Sequence, residues 1–424
     1  MRPLDVLETI LRDLGMEAFH DLWTVQWEAS QQTFPPMPLP VLDRSFVETQ
    51  ARTIGLDEDL CEALANGVTG LSRSPVLQRF LWHVYYRLFV CKIEAYPRWP
   101  DLPIGMDPAA RLLYVYVFLA QTPKLIESHE EQGIERTISR STLLDLQLWM
   151  RHYQRQNGAV GLAADQVSWL SLHFGGQLYQ LGRLQFEFAT FKYPFLAYQR
   201  RLDGRIEILS GPGNRFLSDG RFDGAPGEGP LGSWEAALER DDCAVAGYPI
   251  SPFGRAVSTP ATLPVKEWDL TLQPGDATLA VHIPATGPMD FEACGQSFLL
   301  ARKFFTRHFP AYSAKAYTCS SWLLDPQLEA YTDPASNIVR FLREWHLLPY
   351  PNGTERETLR RVFGVTARPD DLNTLVQRTS LQRDTLAFLK RGGTPGPGIG
   401  VQFPRSMTWG KQVYRYRAEQ ALPD

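Results

Sequence analysis

Three sets of side chains in this sequence are of the types that move protons or attack carbonyl groups: His282, Glu187, and the neighbours Cys319 and Ser320. His282 interrupts an apolar run, between Val281 and Ile283, just before the turn Pro284-Ala285-Thr286-Gly287-Pro288. A neutral imidazole there accepts a proton near pH 7, directly or through water. Glu187 alternates with Phe186 and Phe188, so its carboxylate lies beside an apolar layer, where desolvation raises its pKa toward that of a useful base. Cys319 and Ser320 follow Tyr317, and strand alternation puts Tyr317, Cys319 and Ser321 on one face, Thr318 and Ser320 on the other. A hydroxyl or thiol so placed can protonate a leaving group or orient an attacking one. Each residue also has an ordinary structural role: a buried histidine bonded to backbone, a solvated or ion-paired strand glutamate, small residues packed beneath a helix.

A second chemistry uses the same residues differently. Cys319 as nucleophile, His282 as its base and Asp325 or Glu187 as the orienting acid make a thioesterase or amidase. That mechanism needs an exposed, activated thiolate, and a mid-strand cysteine lacks the sharp turn or helix N-terminus that exposes one. A third reading is a protein that binds a metabolite or partner without turnover.

The elements that must position these groups are legible from Thr278 to Phe341, which runs strand, turn, helix, strand, helix. The first strand is the apolar run Leu279 to Ile283, and Asp290 opens a helix rich in Phe298, Leu299, Ala301, Phe304 and Phe305. A helix N-terminus presents free N–H groups and the positive end of its dipole, so the turn suits an anion such as a diphosphate.

Composition narrows the class. A chain of 424 residues suggests two domains or three. Lys plus Arg at 43 against Asp plus Glu at 47, with no basic cluster, argues against a nucleic-acid partner. No apolar run approaches the roughly twenty residues that cross a bilayer, so no membrane association and a cytoplasmic setting are expected. The five cysteines form no CxxC pair and the histidines no HExxH, so neither a disulfide framework nor a bound metal is expected.

The expected fold class is α+β. Residues 1–140 form a nearly all-helical domain, in which Ser74-Pro75 and Asp107-Pro108 each open a largely apolar helix. Trp82, Tyr85, Tyr86, Tyr114 and Tyr116 supply aromatic surface on those two helices, or core. Residues 141–424 form a mixed domain around a central, partly parallel sheet. Within it Val167 to Gly182 reads as a helix, Arg183 to Phe191 as a strand, and Phe195 to Arg200 with Arg205 to Leu209 as a hairpin about Asp203-Gly204. The Gly- and Pro-rich stretch 210–264 reads as a long irregular connection around one helical candidate, Ser233 to Arg240. Leu359 to Thr366 reads as a strand, Thr379 to Gly392 as a helix and Ile399 to Phe403 as a last strand.

Gly275-Asp276, His282-Ile283-Pro284, Cys319 to Pro326 and Ser336 to Phe341, in that order, resemble a family of bacterial two-domain acyltransferase-like proteins. In that family a helical N-acyltransferase N-terminal domain precedes a GNAT-like C-terminal domain. The resemblance implies an N-acyltransferase using acyl-CoA or acetyl-CoA and the amine of a small-molecule acceptor. It also implies that the strand through His282 splays from the strand through Cys319, with the acyl-CoA in the opening. The diphosphate would then rest on the backbone of Ile283, Pro284, Ala285, Thr286 and Gly287, and Asn337 would open the next helix beside it. The usual diphosphate loop carries a Gln or Arg and two glycines, whereas Pro284 to Asp290 holds a single glycine, Gly287, and no basic residue.

Overall fold

Proline and glycine punctuation divides the helical elements of the N-terminal half, and their apolar faces bury one another. The computed structural model describes residues 3–13, 15–91, 99, 101–102, 108–224, 232–350, 354–405 and 407–419. Two units divide between Gln180 and Leu181, beyond the boundary expected at 140/141. The added segment is mostly helical, and its helix Val167–Phe174 packs on the long helix Leu113–Glu131.

In the first unit, α1 (Pro75–Tyr85) starts where Ser74 Oγ accepts from Leu77 N and Pro75 fills the first helical position. The second helix, α2 (Leu113–Glu131), follows a short 3-10 turn at Pro108–Leu112; Asp107, its expected cap, lies outside the described residues. Tyr85, Tyr114 and Tyr116 are core residues of this unit, buried with Trp23, Trp27 and Phe118, while Trp82 is half-buried. No helix among the described residues is long and apolar enough to cross a membrane.

The helix expected from Val167 to Gly182 is shorter. Here α3 (Val167–Phe174) ends at Gly175-Gly176, where Gly176 takes a positive φ of 67°, and the chain turns into β1 (Leu178–Leu181). Beyond it come β2 (Leu184–Thr190), β3 (Phe195–Arg200), β4 (Ile206–Ser210), β5 (Trp268–Leu272) and β6 (Ala277–His282). The chain continues through α4 (Phe291–His308), β7 (Ala316–Ser321), α5 (Asn337–Arg343), β8 (His346–Leu348), α6 (Ser380–Lys390) and β9 (Gly398–Gln402).

The main sheet has the order β1-β2-β6-β7-β9-β8. The β6–β7 pair is parallel, joined by the crossover helix α4, and its neighbours β2–β6, β7–β9 and β8–β9 are antiparallel. One face is covered by α4, whose buried Phe291, Cys294, Phe298, Ala301 and Phe305 recur at helical spacing. Phe298 meets Phe186 and Tyr317, and Phe305 meets Phe188, with ring centroids 5.1–5.6 Å apart. The other face carries a second core that joins Ala316, Ile399, Val401 and Leu348 to Phe195, Ala197, Ile208, Phe216 and Phe222.

Three local expectations are corrected. The 210–264 stretch contributes short paired strands, and its helical candidate Ser233 to Arg240 is divided between the strands Ser233–Glu235 and Leu238–Arg240. Those strands pair with Arg215–Leu217 and Ala244–Gly247, so tertiary pairing overrides local helix propensity. The expected strand Leu359 to Thr366 is instead part of the helix Arg356–Phe363, where buried Leu359 and Val362 sit three residues apart on one face.

Candidate active site

Register decides which candidate residues meet. In the antiparallel β2–β6 pair, Ala280 lies opposite Glu187 and His282 opposite Gln185, so Glu187 and His282 share a face as diagonal neighbours. Their long side chains close that gap: His282 Nε2 stands 2.7 Å from Glu187 Oε2. Both remain partly open to solvent, at 31% and 23% of side-chain surface. A carboxylate accepts only, so Nε2 carries the proton in this contact and the ring's basic lone pair lies on Nδ1. Two residues read from the sequence as separate bases thus form one hydrogen-bonded pair.

The parallel β6–β7 ladder sorts the others. Its partners are Thr278 with Ala316, Leu279 with Tyr317 and Ala280 with Thr318, and there the pairing stops although β6 continues to His282 and β7 to Ser321. The two strands therefore separate at the end that bears His282. By alternation Thr318 and Ser320 share the face of Ala280 and His282, while Cys319 shares that of Leu279 and Val281, beneath α4. Ser320 is exposed. Cys319 is buried, and burial pushes its thiol up to about 12. The structure thus sets Cys319 apart from His282, on the opposite side of the sheet and without a thiolate, so no Cys–His nucleophile is assembled. Asp325 is likewise committed elsewhere: it accepts from Gly396 N at 2.8 Å and Gln327 N at 3.0 Å.

Tyr193 was not singled out from the sequence. Its phenol is pushed up by burial, an effect partly offset by its hydrogen bond with Ser320. It precedes β3 and lies far from Ser320 in the chain, so no local pattern announces it.

The turn between β6 and α4 has a built support. Asp290 caps the helix by accepting from Ala293 N at 2.7 Å, so part of the N-terminal dipole already faces a carboxylate. Arg183 supplies the positive charge that the turn lacks. Its guanidinium donates to the carbonyls of Pro284 at 2.9 Å, Gly287 at 2.9 Å and Pro288 at 3.0 Å. In a trans peptide the next N–H points opposite the carbonyl, so the N–H groups of Ala285 and Met289 are directed away from the guanidinium. Residues 285–288 are exposed, and Ile283 is half-buried and Pro284 buried. Ser297 holds the clamp in place, since its Oγ accepts from Arg183 N at 2.8 Å. Asn337 is the first residue of α5, behind the Ser336 cap, and is exposed. Arg340 reaches from α5 to Asn337 Oδ1 and to Glu292 Oε1 on the first turn of α4. Among the described residues no group of three or more His, Cys, Asp or Glu side chains is arranged to hold a metal ion.

The model of the GNAT-like C-terminal domain matches residues 178–402, and that of the N-acyltransferase N-terminal domain matches residues 46–176. None of the curated proteins matches the chain. Among solved structures, a mutant acyltransferase in complex with octanoyl-CoA is 25% identical, with a TM-score of 0.64 over 95% of this chain and 99% of that one. An acyltransferase in complex with decanoyl-CoA and teicoplanin is 24% identical and shares the fold, with a TM-score of 0.63 over 93% of this chain and 98% of that one. More than half of the chain, residues 178–402, falls in the match to the GNAT-like C-terminal domain. The chain belongs to the acyltransferase family in which an N-acyltransferase N-terminal domain precedes a GNAT-like C-terminal domain.

Proposed function

We propose that this enzyme moves an acyl group from acyl-CoA to the amine of a small-molecule acceptor by direct attack on the thioester. The observation that carries this reading is the 2.7 Å contact of His282 with Glu187 where β6 and β7 diverge. Glu187 orients the imidazole and stabilises it once protonated, and Nδ1 takes the proton from the ammonium of the acceptor, directly or through water. The amine then attacks the carbonyl carbon. The new C–N bond forms and the C–S bond breaks; the nitrogen gives up its second proton to Ser320, whose hydroxyl, hydrogen-bonded to Tyr193, passes its own proton to the departing thiolate. Backbone N–H groups of Ile283 to Gly287, on a turn held by Arg183, receive the diphosphate, with Asn337 beside them. Pro284 contributes none, having no N–H.

Octanoyl-CoA bound to the 25% identical relative supports a medium-length acyl chain. Teicoplanin, the ligand of the second relative, is the first acceptor type to test. Free thiols at Cys61, Cys91, Cys243, Cys294 and Cys319 support a reducing, cytoplasmic setting. Mass spectrometry of octanoyl-CoA incubated with the protein and a panel of amines, de-acylated teicoplanin included, tests the reading. Amine-dependent acylation is expected. Hydrolysis independent of any amine would replace the transferase with a thioesterase, and binding without turnover would leave a non-catalytic protein.

A further inference from the structure

A cavity of about 50 Å³ lies in the second unit, walled by Arg221, Phe222, Arg255, Asp325, Leu348 and Tyr350. It has room for roughly three or four waters, which suits one small polar group rather than a whole ligand. The local fold is built to deliver Arg255 there. Leu347 N donates to Pro252 O, so the segment before Arg255 lies alongside β8. Gly254 then turns at a φ of 75°, where a Cβ would stand 2.9 Å from Pro326 Cγ. On the other side Ala256 N donates to Gly220 O.

Arg255 is acted on by the charges of Asp219 and Asp325 without hydrogen bonding to either. Arg221 Nε is held by Asp219 Oδ2 at 2.8 Å. Asp325 is nearly fully buried and already accepts from Gly396 N and Gln327 N. Among the described residues the Arg255 guanidinium has no ion-pair or hydrogen-bond partner, although it is partly buried and burial pulls it below the usual arginine value. A planar fork of donors without a partner matches a carboxylate, and the nearby Asp325 disfavours a doubly charged phosphate.

One wall of the cavity, Leu348, lies in register on the sheet face that bears His282. Ser320 lies two residues beyond Thr318, the last partner of β6, on that face. It pairs with Ile399, and Ile399 with Leu348, which walls the cavity. Three strand spacings separate the His282 row from Leu348, at least ~14 Å at ~4.8 Å each. We infer that this cavity is an acceptor subsite, in which Arg255 receives a carboxylate carried at least ~14 Å from the amine that is acylated. This rests on the transferase reading for the identity of the ligand as acceptor, and on the cavity alone for its chemistry.

The test is a ligand-observed NMR titration of the full chain with propionate, propionamide and inorganic phosphate, repeated with saturating octanoyl-CoA. Propionate is expected to bind at least about tenfold more tightly than the other two. Arg255→Gln should abolish that preference, Arg255→Lys should keep only part of it, and circular dichroism should show both variants folded. Equal binding of acid and amide, no binding of either, or a preference that survives in Arg255→Gln overturns the site. Displacement of propionate by octanoyl-CoA overturns the acceptor assignment and gives the cavity to the donor. Failure of octanoyl-CoA to bind at all sinks the transferase reading instead, and leaves the propionate preference to decide the cavity separately.

Discussion

His282 and Glu187 meet because two strands place them diagonally, and the pair predicts its own kinetics. His282→Ala should lower kcat by about 10²–10⁴, the usual worth of a general base, with little change in octanoyl-CoA affinity. Glu187→Gln should lower kcat less, because the imidazole stays while its orientation and charge partner are lost; stopped assays with octanoyl-CoA read both. Cys319 gives the opposite expectation. With its thiol pushed up to about 12 by burial, Cys319 stays protonated at pH 8. Iodoacetamide mapped by mass spectrometry should modify exposed Cys243 first and leave Cys319 intact in the folded protein. Cys319→Ala should keep turnover. Both candidate bases were legible as residue types, His282 from its break in an apolar run and Glu187 from alternation. Their contact was not, because it depends on the β2–β6 register across a sequence separation of 95 residues.

The proposed donor side rests on whole elements. Arg183 ties three carbonyls of the β6–α4 turn, and its backbone is tied in turn to Ser297 on the helix that the turn begins. Arg183→Ala should raise KM for octanoyl-CoA about tenfold or more with a smaller effect on kcat. Arg183→Lys should not restore it, since an ammonium cannot span three acceptors as a planar fork does. An unchanged KM in Arg183→Ala would remove the turn from donor binding. The sequence shows a turn with one glycine and no cation; the cation arrives from the β1–β2 hairpin. Close approach is equally tight at the far end of the sheet, where a Cβ on Gly398 would stand 1.8 Å from Leu324 O. Gly398→Ala should therefore destabilise the fold by at least ~2 kcal/mol, read by urea unfolding.

At the scale of the molecule the two units should respond differently to acid. In the helical unit, burial pushes His83 down to about 3, with Arg87 adding to the effect, and His129 down to about 4. Each ring places Nδ1 2.8 Å from a serine hydroxyl; His129 Nε2 has no hydrogen-bond partner among the described residues, and a backbone contact with Trp23 offsets part of the downward push on His83. A folded pKa below the unfolded one means that the unfolded chain binds more protons, so this stability is present above pH 6.5 and is lost as pH falls toward 4. At pH 4.5 the two histidines together should remove about 5 kcal/mol from the helical unit. In the second unit burial also depresses His346 to about 4, but it raises Asp325 to about 6 and Glu344 to about 7. Those raised carboxyls act in the other sense: their penalty is full above their folded pKa values and fades as pH falls toward 4. Hydrogen exchange on lowering pH from 7 to 4.5 should therefore show the helical unit opening before the second one. Simultaneous opening would contradict the assignment.

The sequence by itself determined the helical N-terminal half, the run of strand, turn, helix and strand from Ala277 to Ser321, and most caps. These depend on short-range periodicity and on side chains that bond within a few residues, as Ser74, Asp290, Ser336 and Thr379 do. It misread Val167 to Gly182, Ser233 to Arg240 and Leu359 to Thr366, where helix and strand patterns compete over short lengths and pairing or packing from distant segments decides. Tertiary structure alone decided the face of each strand residue relative to its neighbours. That choice joined His282 to Glu187, set Cys319 beneath α4, brought Tyr193 to Ser320, and left Arg255 without a partner among the described residues in its cavity. The physical reason is that register and close approach depend on chain segments that pattern alone cannot align.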